Sequence, residues 1–237
     1  MSTALVITHD PAEGPGLVAT WLAEGGLDGT VVEPWNGDKL PESLDGYAAL
    51  VVMGGPHQAY DDGSAPWLRR TKELLRSAVA AALPTFTICL GAQLLAEATG
   101  GRVAVGESGP ELGAKLVAKR DQAGGDPLFW DLPLSPMVIQ WHWDVVADLP
   151  PAATLLMSSP TYPHQAFRVG DRAWGLQFHV ETPPEMLETW VDQSAAELVA
   201  LGRDPQAILD RALPELEEVH EVWGEVVRRF ARLAAGG

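Results

Sequence analysis

The sequence predicts an α/β fold in which an open, mostly parallel sheet is flanked by helices and followed by a C-terminal helical extension. Short apolar runs alternate with helical patterns in the first part of the chain, which is typical of a parallel sheet. The last part carries apolar residues at helical spacing. With 237 residues, 46% of them hydrophobic, the chain can bury a sizeable core. We therefore predict one domain over residues 1–237, in which residues 182–237 form the extension.

The individual elements are predicted from hydrophobic periodicity and from the turn residues between them. In the long helix over residues 67–83, apolar side chains recur every three or four positions. From residue 102 to residue 177, short runs separated by Gly and Pro predict an antiparallel extension on one edge of the sheet. In order, the parallel part comprises a strand over 4–8, a helix over 16–24, strands over 30–33 and 48–53, the helix over 67–83, a strand over 85–88 and a helix over 93–99.

The C-terminal extension carries a clear helix start and an apolar stripe. Asp204 is a typical N-cap, and Pro205 then occupies the first helical position. Two interpretations of the stripe remain open: it packs on the chain's own core, or it forms an interface with a second copy or with a synthetase. A run this short is weak evidence for a coiled coil. The stripe consists of Leu216, Val219, Trp223, Val226, Phe230 and Leu233.

Charge and composition exclude several classes of partner. The chain has 16 basic and 32 acidic residues and a formal net charge of −16, which repels nucleic-acid phosphates and anionic membrane surfaces. No apolar run approaches the length of a membrane span, and no basic leader precedes the first strand. A single cysteine cannot form an internal disulfide, which suits a cytoplasmic location. The histidines are scattered, so we predict no metal site.

Cys89 lies between a predicted strand and a predicted helix. A nucleophile at such an elbow sits on a strained turn with its side chain exposed, and Gly91 lets the strand and the helix approach closely. The positive end of the helix dipole also favours the thiolate form of a cysteine at this point. Alternatively, Cys89 is a small buried hydrophobic residue, as free cysteines often are.

His179 and Glu181 are two residues apart in a predicted strand that ends at Pro183. Alternate side chains of a strand point to the same face, so Glu181 can hold the imidazole of His179. The second ring nitrogen is then free to take a proton from Cys89. A lone histidine on an apolar strand is often a satisfied core residue, but the combination with Cys89 points to a cysteine-based hydrolase.

The segments around these residues resemble the class I glutamine amidotransferase family, in the branch similar to the amidotransferase domain of GMP synthetase. The likeness extends over residues 4–181, and its order and spacing make it specific. It implies a flavodoxin-like architecture, with Cys89 as the nucleophile, His179 as the general base and acid, and Glu181 as the third member of a triad. The matching segments are Met53-Gly54-Gly55-Pro56, Thr87-Ile88-Cys89-Leu90-Gly91-Ala92-Gln93, Trp141-His142-Trp143-Asp144 and Gly175-Leu176-Gln177-Phe178-His179-Val180-Glu181.

The resemblance also implies residues that bind the substrate. The backbone N–H groups of Gly55 and Leu90 would form the oxyanion hole, and Gln93 would contact the γ-glutamyl group. Gly54 and Trp143 are further expected substrate-binding positions. By itself, the Gly54-Gly55 pair could equally be an ordinary turn after a strand.

Three positions depart from the usual family pattern. Thr87 and Trp143 stand where glycine is usual, and Val180 replaces the usual proline between His179 and Glu181. None of the three removes a catalytic group. Trp143 either packs on a neighbour or reshapes the pocket for a γ-glutamyl amide other than glutamine, because in relatives this loop lies near the α-amino and α-carboxylate groups.

Together these features predict hydrolysis of a small γ-glutamyl amide, either glutamine or a γ-glutamyl amine, through a cysteine thioester. No cofactor is implied. A synthetase or another ammonia-accepting enzyme is a possible partner, and so is a second copy of the chain. Two alternatives stay open: a stand-alone γ-glutamyl peptidase or γ-glutamylamide hydrolase in catabolism, and a non-catalytic partner protein that keeps the fold.

Overall fold

A computed structural model describes residues 2–236. The strands are β1 Ser2–Ile7, β2 Leu27–Val32, β3 Ala49–Val52, β4 Thr85–Ile88, β5 Arg102–Val105, β6 Glu111–Leu116, β7 Ala118–Lys119, β8 Met137–His142, β9 Asp144–Asp148, β10 Ala153–Ser158, β11 Ala166–Val169 and β12 Ala173–Leu176. The helices are α1 Gly16–Glu24, α2 Trp67–Ala80, α3 Leu90–Ala98, α4 Pro184–Ala200, α5 Pro205–Ala212 and α6 Leu216–Ala235, with short 3₁₀ turns between some of them.

The main sheet has eight strands in the order β2-β1-β3-β4-β12-β11-β10-β7. The first five of these strands pair in parallel, and the last three continue the sheet in antiparallel pairs, beginning with β11 against β12. Strands β3 and β4 are buried along their whole length, as expected for parallel strands covered on both faces. The prediction of a mostly parallel sheet flanked by helices is confirmed.

Helices cover both faces of this sheet. One face packs against α1 and α6, and the other packs against α2 and α3. In α6, the side chains of Trp223 and Phe230 are fully buried in the chain's own core, and Trp223 Nε1 donates a hydrogen bond to the carbonyl of Met137 at 2.9 Å. Most of the apolar stripe of the C-terminal extension therefore packs inside the chain, and Leu233 stays partly exposed.

The antiparallel part of the chain is less simple than the sequence predicts. Only β11, β10 and β7 extend the main sheet. The remaining strands pair as two separate two-stranded sheets, β5 with β9 and β6 with β8. The expectation of one extension over residues 102–177 is therefore only partly correct.

The prediction that His179 and Glu181 continue a strand is wrong. Strand β12 ends at Leu176, after which the backbone changes its hydrogen-bonding partner. The N–H of His179 donates to the carbonyl of Ile139 at 2.7 Å, and the N–H of Ile139 donates back at 3.1 Å. Through this isolated antiparallel bridge the segment pairs with β8 and not with a strand of the main sheet.

The predicted bounds of the helices and strands agree best with the observed bounds where the chain turns sharply. The helix Gly16–Glu24 and the strand Thr85–Ile88 have the predicted bounds. Helix α3 begins directly after Cys89, three residues earlier than predicted, because the whole turn is made within Cys89 itself. Between residues 2 and 236, no helix combines the length and the apolar character needed to cross a bilayer.

Candidate active site

Cys89 forms a sharp connection between β4 and α3. Its backbone has φ 49° and ψ −109°, a positive φ that is rare for a residue with a side chain. The N–H of Cys89 donates to the carbonyl of Leu176 at 2.7 Å, which ties the turn to β12. Gly91 is required here because a Cβ would overlap the carbonyl oxygen of Val52. The thiol is thus fixed at the carboxyl end of the parallel strands, where open α/β sheets carry their sites.

His179 is held by Glu181 although neither residue lies in the main sheet. The imidazole Nδ1 lies 2.7 Å from Glu181 Oε1, and the other oxygen of Glu181 accepts the N–H of Val180 at 2.8 Å. A proline at position 180 has no N–H and could not make this second bond. The valine that departs from the family pattern therefore helps to fix the carboxylate of Glu181.

The electrostatics of the site couple Cys89 with His179. Burial raises the pKa of the Cys89 thiol, while the neighbouring His179 acts to lower it. Burial alone would lower the pKa of His179, but Glu181 and Cys89 together raise it well above its ordinary value. The charged form of the imidazole is therefore stabilised between Glu181 and Cys89.

A cavity of about 580 Å³ opens above Cys89. Of the predicted substrate-binding residues, Gly55, Gln93 and Trp143 line this cavity. The N–H of Leu90 is the first in α3 and has no partner within the helix, so it is free to meet an oxyanion. Gly55 allows close approach, because a Cβ there would lie 2.6 Å from His9 Cβ. Gly55, Gln93 and Trp143 therefore border the same cavity as Cys89, whereas Gly54 and Leu90 are not among its lining residues.

Gln93 and Trp143 offer different groups to that cavity. The amide nitrogen of Gln93 donates to the carbonyl of Asp144 at 3.0 Å and to Gln177 Oε1 at 3.4 Å, which leaves its oxygen for a ligand. The indole of Trp143 is half-buried and stands edge-on to Trp141, with ring centroids 6.4 Å apart. Its Nε1 is buried and has no acceptor among residues 2–236. Trp143 therefore points inward and presents a free donor.

Two residues of the site were not predicted from the sequence. Glu13, in the loop after β1, lines the same cavity as Cys89. Trp190, on α4, packs its ring 4.6 Å from the ring of His179 and donates a hydrogen bond to the carbonyl of Ala12 at 3.0 Å. The position of Glu13 at the carboxyl end of β1 was a usable signal, since that is where sheets of this kind bind ligands. No comparable signal marked Trp190.

Other polar side chains near the site serve the fold. Thr87, at a usual glycine position, donates its hydroxyl to the carbonyl of Trp174 at 2.9 Å and so remains satisfied in the core. His57 lines the cavity, whereas His9 accepts from the indole of Trp67 at 3.2 Å. In the described part of the chain, no three His, Cys, Asp or Glu side chains are grouped as metal ligands would be.

The chain matches one family model over most of its length. Residues 19–193 match the model described as glutamine amidotransferase class-I. The chain is 29% identical over 190 residues to a GMP synthase of Porphyromonas gingivalis, and this match covers 79% of the chain but only 35% of that protein. The chain thus spans about a third of the length of this relative.

Other relatives match along most of their length. Gamma-glutamyl peptidase 3 of Arabidopsis thaliana is 27% identical over 195 residues, covering 80% of the chain and 76% of that protein. The glutamine amidotransferase-like protein YfeJ of Salmonella typhimurium is 29% identical, with 81% of each chain covered.

Solved structures share the whole fold. A glutamine amidotransferase from Thermotoga maritima superposes with a TM-score of 0.86 and 30% identity, covering 97% of this chain and 98% of that one. One from Methylobacillus flagellatus gives the same TM-score at 28% identity. These neighbours confirm the flavodoxin-like architecture that the sequence predicts.

Proposed function

The chain belongs to the class I glutamine amidotransferase family, and from this premise we propose that it hydrolyses γ-glutamyl amides through a thioester on Cys89. The observation that carries the proposal is the arrangement of three neighbouring side chains, the first of which lines the cavity. Cys89 stands on a strained turn in the cavity floor, and its pKa responds to His179. His179 in turn is bound by Glu181 at 2.7 Å. A merely buried cysteine would need none of these features.

The first half of the reaction forms the thioester. His179 takes the thiol proton, and the sulfur attacks the γ-carbonyl carbon. The oxyanion that forms is held by the N–H groups of Gly55 and Leu90, each worth roughly 3 to 4 kcal/mol in related acyl transfers. When the tetrahedral intermediate collapses, the C–N bond breaks and His179 gives its proton to the leaving nitrogen.

The second half releases glutamate. A water molecule attacks the thioester carbon while His179 takes one of its protons. The carbon–sulfur bond then breaks, the proton returns to the sulfur of Cys89, and free glutamate leaves. Glu181 keeps the imidazole oriented in both halves and stabilises its charged form.

We propose that the γ-glutamyl group is oriented by the free atoms on the cavity wall. The side-chain oxygen of Gln93 and the unpartnered Oδ2 of Asp144 are suited to the α-ammonium group. The unpartnered indole N–H of Trp143 is suited to the α-carboxylate. This assignment agrees with the resemblance, which places the loop of Trp143 near these two substrate groups.

A second candidate function is supply of ammonia to a separate synthetase. The match to GMP synthases favours it, because those proteins are named for glutamine hydrolysis and carry additional chain. The match to gamma-glutamyl peptidases along most of their length favours independent hydrolysis instead. The two functions differ in whether the isolated chain is active alone.

The test is glutamate release by the isolated chain from glutamine and from a panel of γ-glutamyl amides. We expect turnover of at least one amide without a partner, and its loss in Cys89→Ala, since alanine suits the buried turn but cannot attack. Circular dichroism of the variant should match that of the wild type. Turnover that survives unchanged in Cys89→Ala would refute the mechanism. Turnover of glutamine alone, and only with an added synthetase, would favour the second candidate.

A further inference from the structure

The cavity above Cys89 has an unbalanced charge. Four carboxylate side chains line it, and among the described residues no lysine or arginine does. Acidic side chains alone do not define a site, since many simply face solvent. Here two of them have buried oxygens that no donor reaches. The four are Glu13, Asp61, Asp144 and Glu197.

Of these four carboxylates, Glu13 lies beside the reacting groups. A Cβ built on Gly54 would overlap Glu13 Oε2 and would lie 3.0 Å from His179 Cε1, so the carboxylate and the imidazole both border Gly54. Glu13 Oε2 is buried and has no hydrogen-bond donor within residues 2–236. An ionised carboxylate in such a place is costly unless a cation joins it.

The loop that carries Glu13 is held firmly. The N–H of Ala12 donates to Asp10 Oδ1 at 2.8 Å, and the N–H of Glu13 donates to the carbonyl of Asp10 at 3.2 Å. The carbonyl of Ala12 accepts the indole N–H of Trp190 at 3.0 Å. The carboxylate is therefore preorganised, as a binding group must be to contribute to affinity.

Asp144 gives an independent indication that this cavity receives positive charge. Its residue is only 7% exposed, it lines the cavity, and its Oδ2 lacks a donor among the described residues. The α-ammonium of a γ-glutamyl group supplies one cation. A second unpartnered carboxylate, Glu13, therefore remains available for a second positive charge.

The position of Glu13 identifies the part of the substrate that it meets. In the proposed reaction His179 gives its proton to the leaving nitrogen, so the leaving amine must lie beside that imidazole. Glu13 shares this side of the cavity, and the ring of Trp190 lies 4.6 Å from the ring of His179. A leaving amine in this position is therefore adjacent to the Glu13 carboxylate.

We propose that Glu13 is a specificity-determining residue that recognises a positive charge on the leaving amine. The preferred substrates are then γ-glutamyl amides of diamines or of other amines that carry a second protonated nitrogen. This inference rests on the proposed hydrolysis of γ-glutamyl amides and deepens it by naming the leaving group.

The ionisation of Glu13 gives the preference a pH dependence. The pKa of Glu13 is raised to about 7, chiefly by burial; His179 acts to lower this pKa, while Glu181 and Asp10 act to raise it. Cys89 is the remaining titratable group whose charge interacts with Glu13. Since Glu13 is neutral below its pKa and negative above it, the preference for a cationic leaving amine should grow as the pH rises through about 7.

The test compares three γ-glutamyl amides whose leaving amines have equal chain length and end in an ammonium, a methyl or a carboxylate group. For the wild type we expect kcat/KM to fall in that order. Glu13→Gln keeps the shape but removes the charge, and should reduce the ratio of kcat/KM for the ammonium and methyl substrates by about tenfold. Asp28→Asn, which removes an exposed charge on β2, should leave the ratio unchanged.

Several results would overturn the inference. The wild type could show no preference for the ammonium substrate, or the ratio could survive in Glu13→Gln. An equal loss for all three amides would assign Glu13 to the γ-glutamyl group instead. If Glu13→Gln does not fold, a wild-type ratio that stays flat from pH 6 to pH 8, roughly one unit either side of the Glu13 pKa, contradicts the inference. Failure of the wild type to hydrolyse any amide, including glutamine, would instead refute the proposed function, and the inference with it.

Discussion

At the scale of single residues, Cys89 shows how the fold stores strain at its functional centre. A non-glycine residue at positive φ costs of order 1–3 kcal/mol, and Cys89 holds φ 49° in a buried turn. Neighbouring contacts maintain it, among them the hydrogen bond to Leu176 and the close approach at Gly91. The strain fixes the direction of the thiol, as the proposed attack requires.

Trp143 provides a test of substrate selection at the same scale. Its indole lines the cavity, and Trp143→Gly would remove both the bulk and the free N–H. We expect the ratio of kcat/KM between glutamine and bulkier γ-glutamyl amides to shift toward glutamine by about tenfold, or roughly 1.4 kcal/mol. Steady-state kinetics with both substrates measure this shift in the ratio of kcat/KM.

The control for Trp143 is Trp130→Ala, which changes an exposed tryptophan outside the cavity and should not alter the ratio. An equal loss for both substrates in Trp143→Gly would mean that the indole only supports the local fold. No change at all would mean that its side chain does not meet substrate.

How much of the site could be predicted depends on the range of the contacts. Cys89, His179 and Glu181 are marked by local motifs, so the sequence indicates them directly. Glu13 lies near His179 only because the loop after β1 folds over Gly54, so that side chains from distant segments border the same glycine. Trp190 reaches the site from α4 for the same kind of reason, and no local pattern reports it.

At the scale of elements, the segment after β12 shows what the alternation of apolar and polar residues cannot predict. Alternation of apolar and polar residues from Phe178 to Glu181 predicts a strand. The same alternation suits a segment that pairs with β8 through a single bridge, as observed at His179 and Ile139. Periodicity states which side chains share a face but does not state which strand is the partner, so the Glu181 contact was predicted on incorrect backbone geometry.

Helix α6 carries a prediction about stability. The side chain of Trp223 is fully buried and its indole donates to the carbonyl of Met137. Trp223→Ala should lower the free energy of unfolding by about 3–5 kcal/mol, because it leaves a cavity and an unpaired carbonyl. Urea denaturation measures the change, with sedimentation run in parallel.

The control for Trp223 is Val199→Ala, at a helical position that is 64% exposed, where the change should stay within about 0.5 kcal/mol. The apparent mass of Trp223→Ala should equal that of the wild type. A lower mass with unchanged stability would indicate that α6 forms an interface between chains.

At the scale of the whole molecule, the parallel half of the sheet was predictable and the cover of the site was not. Alternating strands and helices up to α3 leave few possible topologies, because parallel crossovers are short and right-handed. The elements that enclose the cavity, β8 and α4, come from later segments whose partners depend on long-range packing. The sequence therefore indicated the floor of the site and the segment from Trp141 to Asp144, but not the contribution of α4 to the wall.

The proposed hydrolysis depends on a covalent γ-glutamyl thioester at Cys89. The most direct measurement is peptide mass spectrometry after acid quenching of the wild type during turnover of a γ-glutamyl amide. The account predicts that the peptide containing Cys89 gains the mass of one γ-glutamyl group, and that the corresponding peptide of Cys89→Ala gains nothing. Turnover in Cys89→Ala at the wild-type rate, or an acyl group found on another residue, would contradict it.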